Sequence, residues 1–266
     1  MRLLSLPPLL LLAAAVAGQD KPKPKLPLGK ETTVVTGPLD KEGYVDYPAA
    51  LNERLGKGIT PAKNANVRLI KALGPAPEGG NGLPDAYFKW LGVARPPADG
   101  DYLVGLDRYL RNTLNLEPDA IQTIYDHQSR ATQRPWSELA YPQIAAWVKL
   151  NEKPLAEVAE AVKLPEYFNP LVPPRPDGGP GGILGALLPT VQKCREVAAA
   201  LTARAMLRVA EKKYDEAWAD LMTAHRLGRL VSRGATLIES LVGLAIHQIA
   251  STATLVYLER ADLTAD

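Results

Sequence analysis

The chain has three histidines, His127, His225 and His247, which are candidates for metal binding or catalysis. His225 lies on one long predicted helix, and Glu239 and His247 lie on the next one. A carboxylate and imidazoles on facing helices can hold a metal ion, as in helix-bundle metal proteins. The Glu-x-x-His spacing that is typical of such sites is missing. We therefore predict no catalytic residue and no metal, and keep His225, Glu239 and His247 as weak candidates for an interhelical Glu/His site.

The acidic neighbours of these histidines depend on how the two helices pair. If the helices are antiparallel, His225 and Glu239 lie near the connecting turn. His247 then lies about two turns deeper, closer to Asp220 or Glu216.

Known catalytic and nucleotide-binding motifs are missing from the sequence, which has no HExxH, GxSxG, SxxK, GxxxxGK or GxGxxG pattern. The adjacent pair Asp126 and His127 does not form a base with its orienting carboxylate, because neighbours on a helix point about 100° apart. We therefore leave enzymatic activity open but favour a protein without it, and we predict no cofactor.

Three arginines form a basic strip. Arg226, Arg229 and Arg233 are spaced three and four residues apart, which places their side chains along one helix face. Guanidinium groups in this arrangement can bind acidic side chains or a terminal carboxylate. We therefore predict that these residues contact a partner. The alternative is a solvated face whose long side chains cover neighbouring apolar surface.

The distribution of proline indicates which elements position these residues. The composition, 46% hydrophobic and 23% charged, is typical of a globular protein, and all 24 prolines lie at or before Pro189. We predict an all-α fold: short helices over residues 44–164, a Pro/Gly loop at 165–182, and long antiparallel helical hairpins over 183–266.

The short helices are predicted from capping residues and prolines near their starts. The first begins at Thr60-Pro61 and ends before Gly74, with Val67, Ile70 and Leu73 buried. The others cover 85–93, which follows Pro84, then 118–132, 137–150 and 154–164. In the fourth helix, Ile144, Trp147 and Val148 are predicted core residues.

Three long helices are predicted at about 190–211, 214–232 and 235–259. The second carries a stripe of mostly small residues at i, i+4, i+7, i+11 and i+14, which predicts close packing against the first in an antiparallel hairpin. The stripe residues are Ala217, Leu221, Ala224, Gly228 and Val231.

One hairpin resembles a tetratricopeptide unit near residues 198–231, although Arg204 and Arg208 depart from its usual apolar positions. The resemblance rests on Leu201, Ala205, Tyr214, Ala217, Leu221 and Ala224. It implies an α-solenoid that binds proteins or peptides rather than a reaction. The overall layout is also similar to exported proteins of planctomycete-type bacteria, and this similarity implies no activity.

The third long helix has no Asp, Glu, Lys or Arg from Ser240 to Leu258, which is long enough for a membrane span. Polar and small residues in its middle, among them His247 and Ser251, favour burial between protein neighbours instead. Its remaining apolar surface needs cover. We expect this cover from residues 44–164, from a second chain through self-association at 235–258, or from further chain if this is a fragment of a longer protein.

The N-terminus has the order of a secretory signal, with a basic start, an apolar run and small residues at a cleavage site within residues 1–17. We predict export to the periplasm, cell surface or extracellular space; retention of the signal as an anchor is the alternative. Residues 18–43 are interpreted as an extended Lys/Pro tether with a short β-prone run at 32–36. The single cysteine, Cys194, excludes an internal disulfide and is predicted to be buried and inert.

The leading functional prediction is an exported helical scaffold that binds a protein or peptide. The near balance of 31 basic and 29 acidic residues argues against a nucleic-acid partner. Two alternatives remain open. One is an exported hydrolase or metal-dependent enzyme with the interhelical Glu/His site, and the other is a membrane-associated structural subunit.

Overall fold

The computed structural model describes residues 28–29, 31–77, 79–80, 82–172 and 188–261. The predicted signal at 1–17, the start of the tether and residues 173–182 of the Pro/Gly loop lie outside these ranges. Within them all regular secondary structure is helical, and β-pairing is limited to two isolated bridges. The predicted all-α class is confirmed.

The described residues form ten α-helices, named here in chain order. They are α1 (Tyr47–Leu55), α2 (Ala65–Leu73), α3 (Asp85–Leu91), α4 (Leu106–Arg108) with a π-helical turn at Tyr109–Thr113, α5 (Pro118–Ala131), α6 (Pro142–Leu150), α7 (Glu152–Ala161), α8 (Leu188–Ala210), α9 (Tyr214–Val231) and α10 (Leu237–Arg260).

Contacts divide the chain into two units, Met1–Ala50 and Leu51–Asp266. In the first unit, the described residues form turns, one antiparallel bridge between Leu39 and Val45, and the first four residues of α1. The β-prone run at 32–36 does not form a strand: the backbone turns at Gly29, and Val34 is 91% exposed. The second unit contains both the short and the long helices, so the regions on either side of the Pro/Gly loop share one core.

Pro118 lies in the first turn of α5 and Pro84 lies directly before α3, as predicted. The predicted start of α6 at residue 137 is wrong, because residues 138–140 form a turn and the helix begins at Pro142.

The predicted start of α2 at Thr60-Pro61 is wrong. The backbone turns there, and the helix begins four residues later, where the Asn64 side chain accepts a hydrogen bond from the amide of Asn66.

The long helices match their predicted bounds to within two residues, and each packs against the other two. The first turn between them is a Schellman motif in which Lys212 adopts a left-handed conformation (φ 59°) and the amide of Lys213 bonds to the carbonyl of Arg208. α10 begins at a capping box formed by Thr236 and Glu239. These caps fix where each long helix starts relative to its neighbour.

The interface of α9 with its neighbours is built from the predicted stripe, all of whose members are buried. Gly228 of α9 and Gly243 of α10 let the backbones approach closely: a Cβ added at Gly243 would lie 2.7 Å from the carbonyl oxygen of Gly228. This contact sets the register between the two helices. The short helices α5 and α6 pack on α8, where the indole of Trp136 donates to the carbonyl of Ala203 at 2.9 Å.

Residues 165–171 form no helix, and their one β-bridge joins Glu166 to Asn64. Beyond Glu166, asparagine side chains bind the backbone. Asn64 bonds to both the amide and the carbonyl of Phe168 at 3.0 Å. Asn52 does the same for Leu171, at 2.7 and 2.9 Å. We call residues 165–171 the Asn-bound segment. It is buried from Tyr167 onward and packs against α2 and α3.

One face of α10 is uncovered by the described residues. It carries exposed leucines at positions 237, 241, 244, 255 and 258. Within the described part of the chain, α10 is the one helix long and apolar enough to cross a membrane by length and composition, and 33% of its apolar window is buried. Folding back of the described part of 44–164 therefore does not supply the cover expected for this face.

Candidate functional site

The predicted arginine strip lies on one wall of an open cleft of about 390 Å³. Arg226, Arg229 and Arg233 are all exposed, and Lys163 adds a fourth cation from the opposite side. Four apolar residues also line the cleft, namely Val162, Leu164, Pro165 and Leu230. The cleft therefore combines positive charge with a surface on which extended chain can pack.

The strip has few internal partners. Arg233 donates one hydrogen bond to the carbonyl of Pro165 at 3.1 Å. Lys163 pairs with Glu160 at 2.6 Å, which lowers the pKa of that carboxyl below its usual value. In the described ranges, neither Arg226 nor Arg229 has an acidic side chain within 4 Å. Their charges are thus available to an external anion.

The arginines of α8 are placed differently, because both bind Asp220 of α9. Arg204 contacts both carboxylate oxygens, at 2.6 and 2.9 Å, and Arg208 contacts one of them at 2.6 Å. Asp220 is 4% exposed, and the two guanidinium groups compensate its buried charge. Arg204 and Arg208 therefore join α8 to α9 through one buried carboxylate.

The structure brings His225 and His247 together across the α9–α10 interface. Their Nδ1 atoms are 3.4 Å apart, and their ring centroids are 5.7 Å apart. The expectation that His247 lies near Asp220 or Glu216 is wrong. The glycine contact between the helices places position 247 opposite 225, and Asp220 is occupied by the arginines of α8.

Both ring nitrogens of His225 have a polar neighbour. Its Nε2 lies 3.1 Å from the hydroxyl oxygen of Thr254, and that oxygen lies 2.9 Å from the carbonyl oxygen of Ala250. These contacts fix the orientation of the His225 ring. Partial burial lowers the pKa of His225, and His247 and Arg229 lower it further.

Glu239 does not join the histidines. Its carboxylate is fully buried and accepts from the amide and hydroxyl of Thr236, at 3.0 Å each, and from the side chain of Asn169 at 2.8 Å. It lies eight residues before His247, about 12 Å along the helix axis. Glu239 therefore caps α10 and holds the Asn-bound segment, and the interhelical Glu/His site is not assembled.

A buried polar network, which the sequence analysis missed, continues from Glu239. Asn169 accepts from the hydroxyl of Tyr87 at 2.8 Å, and that hydroxyl accepts from Asn66 at 2.8 Å. Burial raises the pKa of Tyr87 well above its usual range and that of Cys194 to about 12. Both groups stay protonated at neutral pH, so they strengthen the fold rather than supply a nucleophile. In the sequence, the only indication of this network is that Asn66 and Asn169 lie beside apolar residues.

The third histidine is remote from this pair. The ring of His127 stacks on Tyr141 with centroids 4.7 Å apart, and its buried Nδ1 has no hydrogen-bond partner. Among the described residues there is no group of three or more His, Cys, Asp or Glu side chains that could hold a metal ion.

Comparison with protein-family models, with curated proteins and with solved structures finds no match for this chain.

Proposed function

We propose that this chain is an exported helical scaffold that binds an acidic segment of a protein or peptide in the cleft lined by Arg226, Arg229 and Arg233. The observation that carries the proposal is the open basic cleft, in which Arg226 and Arg229 have no acidic partner among the described residues. Guanidinium groups without an acidic partner, beside apolar residues, are suited to bind carboxylates and the chain that bears them.

The scaffold part of the proposal extends to a tetratricopeptide-like α-solenoid. It is supported by the antiparallel α8–α9 hairpin, by the buried small-residue stripe of α9, and by the packing of α10 against both helices. Further hairpins in such an array would stack on the exposed face of α10. Export is proposed from the signal pattern of residues 1–17.

A peptide-binding assay tests the proposal directly. A fluorescein-labelled peptide with alternating Glu and Leu should bind the full chain, and the matched Gln/Leu peptide should bind at least ten-fold more weakly. The triple variant Arg226→Ala, Arg229→Ala, Arg233→Ala should lose at least ten-fold in affinity for the acidic peptide. Added salt should weaken the wild-type complex, because the contacts are exposed.

The control variant removes the same total charge elsewhere. Arg130, Arg134 and Arg195 are exposed and make no ion pair with described residues, so their triple alanine variant should bind as wild type does. An equal loss in both triple variants would mean that net charge alone drives binding. Tighter binding of a single-stranded oligonucleotide than of the acidic peptide would contradict the peptide assignment.

A membrane-associated structural subunit is the second candidate, and the exposed leucine face of α10 supports it. Carbonate extraction of membranes from expressing cells distinguishes the two. A scaffold is recovered in the soluble fraction, whereas a subunit with α10 inserted stays in the membrane pellet. The third hypothesis, a hydrolase or metal-dependent enzyme with a Glu/His site, loses its support because Glu239 is bound to Thr236 and Asn169.

A further inference from the structure

The exposed residues of α10 have the spacing of a coiled-coil seam. From Leu237 to Leu258 they follow one another at intervals of four and three, which is the a and d pattern of a heptad repeat. The leucines among them are 48–74% exposed, and the two residues in the middle are polar. We call this set the leucine seam. It consists of Leu237, Leu241, Leu244, Gln248, Ser251, Leu255 and Leu258.

The composition of the seam is that of a helix contact. A helix face that stays in water usually carries charged side chains. The leucine seam carries none, although all its members are exposed in the described part of the chain. Its spacing and its composition therefore both indicate that another helix packs on it.

The seam is complementary to itself when two copies of α10 run antiparallel. In an antiparallel coiled coil, an a residue of one helix shares a layer with a d residue of the other. A two-fold axis between positions 249 and 250 then places leucine opposite leucine and polar opposite polar. The layers are Leu241 with Leu258, Leu244 with Leu255, and Gln248 with Ser251, each formed twice.

The polar layers fix this register. A shift of one heptad would bury Gln248 against a leucine, Leu244 for one direction and Leu258 for the other, and its amide would lose its polar partner. In the matched register, the Gln248 amide can donate to the Ser251 hydroxyl of the second copy. A buried polar residue at an a position is a known device by which coiled coils specify their alignment.

The area and the charges also suit a second copy. The exposed fractions of the five leucines correspond to about 550 Å² per chain, so a dimer can bury about 1,100 Å² from these side chains, which is the area that a specific interface needs. The antiparallel arrangement opposes the two helix dipoles. It also brings the exposed Glu259 level with the first turn of the other α10, where a carboxylate is stabilising.

We propose that two copies of this chain pair through their leucine seams, as an antiparallel coiled coil of two α10 helices. The second copy takes the position that a further hairpin would take in an array. This interface is independent of the peptide cleft, which is lined by α9 and residues 162–165. Either proposal can therefore fail in experiment without the other.

Size-exclusion chromatography with light scattering tests the dimer on the full chain without detergent. We expect twice the mass of one chain at micromolar concentration. Leu244→Glu should raise the dissociation constant of the dimer about 100-fold, because it places carboxylates in the interface. The matched control is Leu139→Glu, since Leu139 is 94% exposed and lies outside α10, and this variant should stay dimeric. Circular dichroism of both variants checks that the helices are retained.

A second control separates this proposal from the peptide cleft. The triple variant Arg226→Ala, Arg229→Ala, Arg233→Ala should stay dimeric, because its substitutions lie outside the leucine seam.

Cysteine cross-linking tests the register. On mild oxidation, a mixture of Leu244→Cys and Leu255→Cys should give the mixed disulfide, identified by mass spectrometry, and neither variant alone should cross-link. The native Cys194 is buried, so wild type serves as the uncross-linked control.

Three results would overturn the proposal: a monomeric wild type, equal dissociation of the Leu139→Glu and Leu244→Glu dimers, or cross-linking of Leu244→Cys alone as efficient as that of the mixture. The last result would indicate a parallel pair. A monomeric wild type that binds lipid vesicles would assign the seam to a membrane instead.

Discussion

The Asn-bound segment and the three long helices solve the same problem, the burial of backbone, in opposite ways. α8, α9 and α10 satisfy their own amides and carbonyls, so small residues such as Gly228 and Gly243 can bring two backbones into contact without polar help. The Asn-bound segment has no such internal bonding, and its buried amides and carbonyls depend on the side chains of Asn52 and Asn64.

The difference indicates where each region is vulnerable. A helix interface loses stability when a change in side-chain volume disturbs its packing, even though the backbone hydrogen bonds within each helix stay intact. The Asn-bound segment loses stability when a single asparagine side chain is removed, because the backbone group that this side chain bonded stays buried without a partner. Each of the following predictions changes one side of this comparison, beginning with the largest expected effect.

Replacement of Asn64 should have the largest effect. Asn64→Ala removes both bonds to the backbone of Phe168 and the cap of α2, and it leaves the Phe168 amide buried without an acceptor. We expect the free energy of unfolding to fall by about 3–4 kcal/mol. Urea denaturation followed by circular dichroism measures it.

Asn112→Ala is the matched control, since Asn112 is exposed and has no hydrogen bond to a described side chain. Its effect should stay within about 0.5 kcal/mol. If Asn64→Ala were equally mild, the side-chain bonds would not be what holds the Asn-bound segment.

Added volume at the helix contact should have an intermediate effect. In Gly243→Ala the new Cβ would lie 2.7 Å from two backbone atoms, the Gly228 oxygen and the Ser232 nitrogen, so α9 and α10 must separate. We expect a loss of about 1–3 kcal/mol in the free energy of unfolding, measured by urea denaturation.

Gly228→Ala is the comparison variant for Gly243→Ala. There the new Cβ has its closest contacts at 3.0–3.1 Å, and two of them are the movable side chains of His247 and Ile246. Its loss should be smaller than that of Gly243→Ala. The reverse order would contradict a contact limited by the backbone.

Protonation of His225 should have the smallest effect. Its pKa in the folded chain is below the usual value of 6.5, so the unfolded chain takes up a proton first as the pH falls. The free energy of unfolding should therefore decrease as the pH falls below 6.5, and the contribution of this residue should be constant above it. Urea denaturation at pH 7.5 and 5.5, with EDTA present, measures the change.

His225→Gln removes the titrating group, so this variant should lose less stability than wild type between the two pH values. An equal loss in both proteins would assign the pH dependence to other groups.

The helices that could be predicted from the sequence are those whose limits depend on local residues. Proline marks the starts of α3 and α5, and the small-residue stripe of α9 identifies its buried face. The start of α2 was placed wrongly because Asn64 is held partly by Phe168, which is 104 residues away. A local pattern contains no information on such a partner.

The same distinction applies to the candidate site. The arginine strip follows from helical spacing, and the structure places all three side chains along one cleft. The partner of His225 depends on the register of α9 against α10, which the backbone contact between Gly228 and Gly243 sets. Asp220 could have been assigned only by recognising that Arg204 and Arg208 face it from α8.

The buried thiol of Cys194 makes the chain a convenient subject for labelling. Its raised pKa of about 12 and its burial mean that a thiol reagent reaches it only when the core around α8 opens. The rate of its modification therefore reports opening of the core directly. A cysteine introduced at an exposed position would be the fast-reacting thiol, so a dye or spin label could be attached at one chosen site without removing Cys194.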